Sequence, residues 1–248
     1  MESPIPQDLK IIETFGWHPD EGIRRLPRHL ARLERTALQL GFPHDPAQVE
    51  RALAVLGGAA PLRVRLTLDA LGQVDVTTGP LTPTGPWRLH ISGVRLASED
   101  PFLPIKTTQR AAYDAARAAL PEGVQDAILL NERDEICETT VANIFLKRGD
   151  HYLTPHAKAG LLRGILREEL LETGQAQEAR LTLKDLHAGD VFIGNSLGGN
   201  AAARLAIEAP ERVVAVAHIH RTATGATGAV HFEQAVFAGD QAAGNRHT

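Results

Sequence analysis

Apolar positions in the first part of the chain follow the spacing of a strand and then that of a helix. Residues 10–17 predict a strand, and the residues at 18–22 have turn chemistry. Pro27 suits the first turn of a helix, and Gly41 suits its end. Between these two residues, apolar side chains recur at helical spacing: Leu30, Leu33, Ala37 and Leu40. The pattern therefore predicts a strand followed by an amphipathic helix.

The next segment predicts a second helix and more strands. Residues 47–56 form the expected helix, and residues 61–69 alternate between apolar and polar side chains. Arg63 and Arg65 lie on the polar face of that strand, opposite Val64. Two further strands are predicted, over 73–78 and 87–94.

The rest of the chain predicts a larger unit of strands and helices. Alanines at helical spacing over 112–119 indicate a helix that Pro121 ends, and another helix is expected over 164–173. Strands are predicted over 126–131, 141–147, 151–154 and 190–194. The fold class is therefore α+β, with two domains: a small N-terminal α/β domain over 1–100 and a larger C-terminal β-rich domain with helices over 101–208.

The last forty or so residues (roughly a sixth of the chain) differ in composition from the rest. Alanine, glycine, threonine and histidine dominate from Ala209 onward, and no periodic element is evident after Phe237. We interpret 209–248 as a C-terminal extension, of which 222–248 is largely flexible.

Composition and charge narrow the possible classes of function. Hydrophobic residues make up 43% of the 248 residues and charged residues 23%, which are ordinary values for a globular protein. The net charge of -4 gives no reason to expect nucleic acid as a partner. No apolar run reaches the ~18 residues that cross a bilayer, so we expect no membrane association. The N-terminus lacks the regions of a signal peptide, and the single cysteine, Cys137, fits a reducing cytoplasm.

The residues that suggest chemistry lie in the second unit. A lysine such as Lys106 can bond covalently to an aldehyde cofactor, and a carboxylate such as Glu138 can hold a pyridine nitrogen protonated, which makes the ring an electron sink. Two further segments suit a phosphate group, the glycine-marked helix start at 160–167 and the small polar turn at 194–196. Together they predict a pyridoxal phosphate site. No metal site is expected, because the 11 histidines show no metal-ligand spacing.

Each of these residues also has an ordinary structural interpretation. A lone lysine is nearly always a solvated surface charge, and by itself Lys106 would have odds of roughly one in twenty of a special role. Its apolar neighbours at 103–105 raise those odds, because an apolar setting lowers the pKa of an amine. Arg28, Arg32 and Arg35 share one helix face, and a solvated basic face accounts for two of the three.

Five short segments occur in a set order along the chain. They are Arg-His-Leu-Ala-Arg-Leu at 28–33, Lys-Thr-Thr-Gln-Arg at 106–110, Glu-Thr-Thr-Val-Ala-Asn-Ile-Phe at 138–145, Gly-Ile-Leu-Arg at 164–167 and Asn-Ser at 195–196. In this order they resemble the class IV aminotransferase-like family of pyridoxal phosphate enzymes, which have fold type IV. That family includes branched-chain aminotransferases, D-amino acid aminotransferases and 4-amino-4-deoxychorismate lyases. This chain's versions of the five segments are most similar to those of the lyases. Gln109 and Arg110 occupy the third and fourth positions after the lysine, and Thr14 lies on the first strand.

The resemblance implies a role for each matching residue. Lys106 is similar to the Schiff-base lysine, which also acts as general acid and base in later steps. Glu138 is similar to the partner of the pyridine nitrogen, and Arg32 to the phosphate-binding arginine. The other implied phosphate ligands are the backbone amides of Ile165 and Leu166, the hydroxyl of Ser196 and a donor from Asn195.

The resemblance also implies an activity. A lyase of this kind converts 4-amino-4-deoxychorismate to 4-aminobenzoate and pyruvate in folate synthesis. Thr14 would position or protonate the leaving group, and the residues that would bind substrate carboxylates are Arg63, Arg65 and Arg110. The sites of this family usually form at a dimer interface, so a homodimer is expected.

Two other functions stay open at this point. A class IV aminotransferase on a branched-chain or D-amino acid would use the same apparatus, and a degenerate homologue would bind cofactor or a partner without turnover. Two departures from the family pattern concern the substrate. Only nine residues precede Lys10, where most members have a further strand. The stretch Leu-Gly-Gly-Asn-Ala-Ala-Ala at 197–203 has no bulky residue to shape that side of the pocket.

Overall fold

The computed structural model describes residues 5–81, 87–187, 190–197, 203–205, 216–220 and 231–235. Within these ranges the strands form two main sheets, and helices pack beside them. The first third of the chain builds one main sheet, residues 87–205 contain the strands of the other, and two later strands form a separate pair. The fold is α+β, as the sequence predicts.

The first sheet has four antiparallel strands. Their bounds are Lys10–His18 (β1), Gly22–Ile23 (β2), Leu62–Asp69 (β3) and Val74–Pro80 (β4). They lie in the order β2-β1-β3-β4. Two helices separate β2 from β3 along the chain, Leu26–Leu40 (α1) and Pro46–Leu53 (α2). One face of the sheet packs against α1 through the fully buried side chains of Phe15, Leu33 and Val64.

The second helix begins and ends slightly earlier than the predicted 47–56. The Asp45 carboxylate accepts a hydrogen bond from the amide of Ala47 at 3.0 Å, and Pro46 occupies the first helical position. These two residues place the start at Pro46. The helix ends at Leu53, a few residues before Gly57 and Gly58, because glycine disfavours helical backbone.

The second sheet contains eight described strands. Their bounds are Trp87–Leu96 (β5), Asp126–Asn131 (β6), Ile136–Thr139 (β7), Asn143–Arg148 (β8), His151–Pro155 (β9), Ala176–Ala179 (β10), Val191–Gly194 (β11) and Ala203–Leu205 (β12). They lie in the order β10-β9-β8-β7-β6-β5-β12, and β11 pairs with β8. The helices of this half are Ala111–Ala118 (α3), Ile165–Glu172 (α4), Leu183–His187 (α5) and a short 3-10 helix, Ala157–Ala159. Strand β6 is buried at every position and lies in the centre of the core.

The break between the sheets falls before Trp87, because β5 pairs in parallel with β6. The predicted domain boundary near residue 100 therefore follows a strand of the second sheet. The division of the chain into domains stays a prediction.

The hairpin around Glu138 differs in detail from the predicted strand over 141–147. Glu138 lies in its own short strand, β7, and β8 begins only at Asn143. The Thr139 hydroxyl accepts a hydrogen bond from the amide of Ala142 at 3.0 Å, which fixes a tight turn between the strands. Val141 is therefore a turn residue and not a strand residue.

Two strands of the C-terminal extension are described, Val216–His220 (β13) and His231–Ala235 (β14), and they pair antiparallel. The predicted flexible segment 222–248 otherwise lies outside the described residues. Strand β14 lies inside that segment, and its flexibility stays a prediction. In the described part of the chain, no helix has the length and apolar character that crossing a bilayer requires.

Candidate active site

A cavity of roughly 490 Å³ is lined by residues of both sheets. Strands β1 and β3 contribute from one side, and strands β7, β8 and β11 contribute from the other. All the predicted site residues except Leu166 line it: Thr14, Arg32, Arg63, Arg65, Lys106, Arg110, Glu138, Ile165, Asn195 and Ser196. The fold therefore brings together residues that are far apart in the sequence.

Leu166 is the exception because its side chain belongs to the core. It is 1% exposed and packs in a cluster that includes Phe145. The sequence-based prediction concerns its backbone amide, which lies in the first turn of α4.

Lys106 is fixed to β1 by backbone hydrogen bonds. Its carbonyl accepts from the amide of Ile12 at 2.8 Å, and two residues later the amide of Thr108 donates to the carbonyl of Lys10 at 2.9 Å. Ile11 and Thr107 form an antiparallel bridge between these two bonds. The loop that carries Lys106 is thus held along β1, which also carries Thr14 into the cavity.

The amine of Lys106 has an unusually low pKa. Burial, together with the charges of Arg32 and Arg110, lowers this pKa to about 8, while Glu13 and Glu138 act in the opposite direction. Near neutral pH, a larger fraction of the amine is therefore unprotonated than for a surface lysine. An unprotonated amine is the form that attacks an aldehyde or accepts a proton.

Glu138 is buried in the cavity wall among hydrogen-bond donors. Its Oε1 accepts from the hydroxyl of Tyr113 at 2.7 Å and from the amide of Leu162 at 3.0 Å. Its Oε2 accepts from the side-chain amide of Asn143 at 3.2 Å. Burial raises the pKa of Glu138 to about 7, although these bonds and the charge of Lys106 favour the ionised form. A protonated pyridine nitrogen beside this carboxylate would favour ionisation further.

The start of α4 presents backbone donors beside the cavity. Gly164 is the N-cap, and the amides of the first turn, which include Ile165 and Leu166, have no acceptor within the helix. A Cβ atom on Gly164 would lie 2.0 Å from the Oδ1 of Asn143, so only glycine fits at this position. Helix-start amides and an arginine are ordinary phosphate ligands. With Arg32 on the same cavity, this donor set fits the phosphate of pyridoxal phosphate.

The turn after β11 is tied to its surroundings by side-chain hydrogen bonds. The Ser196 hydroxyl donates to the carbonyl of Thr14 at 3.3 Å. Asn195 donates from Nδ2 to the carbonyl of Val141 at 3.2 Å, and its Oδ1 accepts from the amide of Leu197 at 3.0 Å. The Asn195 side chain therefore holds the loop, and only its backbone amide stays a predicted phosphate donor.

In the cavity wall, Arg32 is paired with a buried carboxylate. The buried carboxylate of Glu13 accepts from its Nε and Nη2, both at 2.7 Å. The Nδ1 of His29 lies 2.6 Å from the same carboxylate. Strand alternation offers a signal for this group: Glu13 shares the core face of β1 with Ile11 and Phe15, where a charge requires a partner.

Three ion pairs join α1 to α4. Arg25 pairs with Glu169, Arg28 with Glu172 at 2.6 Å, and Arg35 with Glu168 at 3.7 Å. Helix α1 carries Arg32, and α4 carries the amide donors. The ion pairs therefore connect the helix that carries Arg32 to the helix whose first-turn amides would bind a phosphate.

The lining of the cavity is rich in arginine. Arg63 and Arg65 of β3 line it together with Arg110 and Arg117. The pKa of Arg65 is lowered by burial and by the charges of Arg110 and Arg63, so Arg65 lies close enough to each of these two cations to be repelled by it. Arg110 donates to the carbonyl of Thr140 at 2.6 Å. Among the described residues, only Glu138 supplies a carboxylate to the cavity lining.

Comparison with known proteins gives a consistent family and two kinds of activity. A family model described as amino-transferase class IV matches residues 10–205. A Schizosaccharomyces pombe protein assigned as an aminodeoxychorismate lyase is 32% identical over 180 residues, which is 69% of this chain and 77% of that protein. The aminodeoxychorismate lyase of Vibrio harveyi is 36% identical over 135 residues, 51% of this chain and 49% of that protein. A solved structure from Mesorhizobium loti, assigned as an amino-acid aminotransferase, is 37% identical with a TM-score of 0.77, and the match covers 80% of this chain and all of that one.

Proposed function

This chain belongs to the class IV aminotransferase family of pyridoxal phosphate-dependent enzymes, and on that premise we propose that it is a lyase that converts 4-amino-4-deoxychorismate to 4-aminobenzoate and pyruvate. The observation that carries the choice of substrate is the excess of arginine in the cavity. Besides Arg32, four arginines line the cavity; one of them, Arg117, pairs with the buried Asp126 at 3.6 Å, and Glu138 is the only described carboxylate in the lining. A substrate with two carboxylates matches this excess of positive charge better than an amino acid with an apolar side chain.

The cofactor part of the proposal assigns each group at one end of the cavity. Bound pyridoxal phosphate supplies an electron sink for the charge left when a substrate carbon loses a proton. Arg32, the amides of Ile165 and Leu166, and the Ser196 hydroxyl, which turns from the Thr14 carbonyl to do so, hold the phosphate. Glu138 keeps a proton on the pyridine nitrogen.

The substrate part of the proposal uses the remaining groups. Lys106 takes the proton from the ring carbon that bears the substrate nitrogen, because its amine is unprotonated more often than that of a surface lysine. The enolpyruvyl group then leaves the neighbouring carbon and the ring becomes aromatic, which favours the products. Thr14 positions or protonates the leaving group, and Arg65 and Arg110 bind the carboxylates.

One experiment separates this proposal from its alternatives. The protein is incubated with pyridoxal phosphate and with chorismate plus an amination system, and in parallel with a panel of amino acids and 2-oxoglutarate. We expect 4-aminobenzoate and pyruvate in equal amounts from the first mixture. Transfer of amino groups without formation of 4-aminobenzoate would favour an aminotransferase on branched-chain or D-amino acids. The similarity to the Mesorhizobium loti protein is the observation behind this alternative. Cofactor binding without either reaction would indicate a degenerate homologue.

Arg32→Ala should weaken the binding of pyridoxal phosphate by roughly 2–4 kcal/mol, since it removes a buried charged donor. Arg28→Ala is the matched control on the same helix. Its side chain is 36% exposed and pairs with an exposed Glu172, so a change below about 1 kcal/mol is expected. Equilibrium titration measures both, and thermal unfolding of each variant checks that it is folded. Equal weakening by the two substitutions would show that the helix face is assigned wrongly.

Arg65→Met should raise the KM for the substrate by roughly 10–100-fold, the range expected for the loss of a hydrogen bond to a charged group. The affinity for pyridoxal phosphate should not change, because Arg65 lies on β3 and not beside α4. Arg63→Met is the control, and a smaller effect is expected because Arg63 is exposed. A fall in cofactor affinity with an unchanged KM would instead place Arg65 at the phosphate.

The homodimer and the cytoplasmic location stay predictions. A molecular mass measured in solution by light scattering would test the first of them.

A further inference from the structure

A buried acid lies behind the proposed phosphate arginine. Glu13, His29 and Arg32 are 1%, 0% and 5% exposed. Glu13 accepts two hydrogen bonds from Arg32 at 2.7 Å and lies 2.6 Å from the Nδ1 of His29. Only Arg32 of the three lines the cavity. The contacts of Glu13 and His29 therefore reach the cavity through Arg32, and the charge of Glu13 also acts on Lys106, whose pKa it raises.

Burial of the charged side chains of Glu13 and Arg32 costs free energy. Burial by itself would raise the pKa of Glu13, but the charge of Arg32 and the hydrogen bonds from His29 and Arg32 lower it to about 2. Glu13 is therefore ionised throughout the neutral range. A buried ion pair is often no better for stability than apolar residues of the same volume. Stability alone is thus a weak reason for a carboxylate on the core face of β1.

The geometry of the guanidinium group gives a more specific reason. Glu13 occupies the edge formed by Nε and Nη2 of Arg32, in the two-bond arrangement that fixes the plane of an arginine. Nη1 donates to the carbonyl of Arg163 at 3.3 Å, directly before the Gly164 cap of α4. One N–H on each of Nη1 and Nη2 is left over from these bonds. Those two N–H groups are the ones available to the cavity.

We propose that Glu13 is a positioning residue that holds Arg32 so that its remaining N–H groups meet the phosphate of pyridoxal phosphate at the start of α4. His29 fixes Glu13 from the other side, and its ring is itself held edge-on against Phe15 at 5.2 Å between centroids. The inference rests on the proposed cofactor site. Preorganisation of this kind removes the cost of ordering a long side chain when the ligand binds.

A simple charge argument predicts the opposite effect of Glu13. A negative charge next to Arg32 weakens the attraction between Arg32 and an anion, so removal of that charge would tighten phosphate binding. If Glu13 instead positions Arg32, removal of its charge should weaken phosphate binding. The sign of the change therefore decides between the two accounts.

The test compares two ligands that differ only in the phosphate. Pyridoxal phosphate and pyridoxal are titrated into the wild type, Glu13→Gln, Arg32→Ala and the double variant. We expect Glu13→Gln to lose roughly 10-fold in affinity for pyridoxal phosphate and less than about 2-fold for pyridoxal. In the Arg32→Ala background, Glu13→Gln should have no further effect on the preference for the phosphate. Glu21→Gln, which breaks an exposed pair with Arg24, is the control and should change neither affinity.

Other outcomes overturn the inference. Equal losses for both ligands would show that Glu13 only supports the fold, and a gain in affinity for pyridoxal phosphate would support the charge account. If Glu13→Gln does not fold, His29→Gln loosens the same carboxylate without removing it, and it should cause a smaller loss of the same phosphate-specific kind. A wild type that binds both ligands equally would instead remove the proposed cofactor site itself, a result distinct from a failure at Glu13 alone.

Discussion

Lys106→Ala is expected to abolish turnover while the protein stays folded. Among the described residues, Lys106 provides the only amine in the cavity lining. In the proposed mechanism, its loss removes both the covalent attachment of the cofactor and the base of the reaction. A loss of at least about a thousandfold in kcat, equivalent to roughly 4 kcal/mol, is the expected scale. Steady-state kinetics and thermal unfolding on one preparation measure it.

Lys184→Ala serves as the matched control for this prediction. Lys184 is exposed on α5 and does not line the cavity, so its loss should leave kcat unchanged. A Lys106→Ala enzyme that keeps more than a tenth of the wild-type kcat would remove Lys106 from its proposed role.

Glu138→Gln is the second substitution with a large expected effect. Glutamine keeps the shape and can still accept hydrogen bonds from Tyr113 and Leu162, but it carries no charge. Without an ionised carboxylate the pyridine nitrogen is not held protonated and the ring is a poor electron sink. Turnover should fall by at least about a hundredfold, roughly 2.7 kcal/mol, while the cofactor still binds.

A structural role for Glu138 predicts a different pattern. If the carboxylate only secures the β7–β8 hairpin through Asn143, the substitution should lower the thermal midpoint and leave kcat per folded molecule nearly normal. Both quantities are therefore measured on the same sample. Glu132→Gln, in the exposed turn before β7, is the control and should affect neither kcat nor cofactor binding.

The fold and the central chemistry could be predicted because they depend on local patterns. The alternation of residues 61–69 determines which side chains of β3 enter the core and which, including Arg65, face the cavity. Lys106 and Glu138 could be singled out because the chemistry requires these residue types, and their neighbours occur in an order typical of one family. Strand β10 was missed because four residues in parallel pairing leave little periodic signal.

The partners of the site residues could not be predicted, because they come from elsewhere in the chain. Tyr113 donates to Glu138 from helix α3, and nothing in the spacing of the two residues indicates the contact. Glu13 is an exception in part, because a charged residue on the core face of a strand predicts a buried partner of opposite charge. The sequence does not show which arginine is that partner. The sequence leaves open whether Asn195 offers its backbone or its side chain to the phosphate, because nothing near it indicates the bond from its side chain to the distant Val141 carbonyl.

The most direct test of the account is the location of the covalent bond between cofactor and protein. The wild type is incubated with pyridoxal phosphate, reduced with borohydride, digested, and mapped by mass spectrometry. The account predicts one modified peptide with the adduct on Lys106, and no adduct in Lys106→Ala. An adduct on another lysine, such as Lys147 or Lys184, or no adduct at all in the wild type, would contradict it.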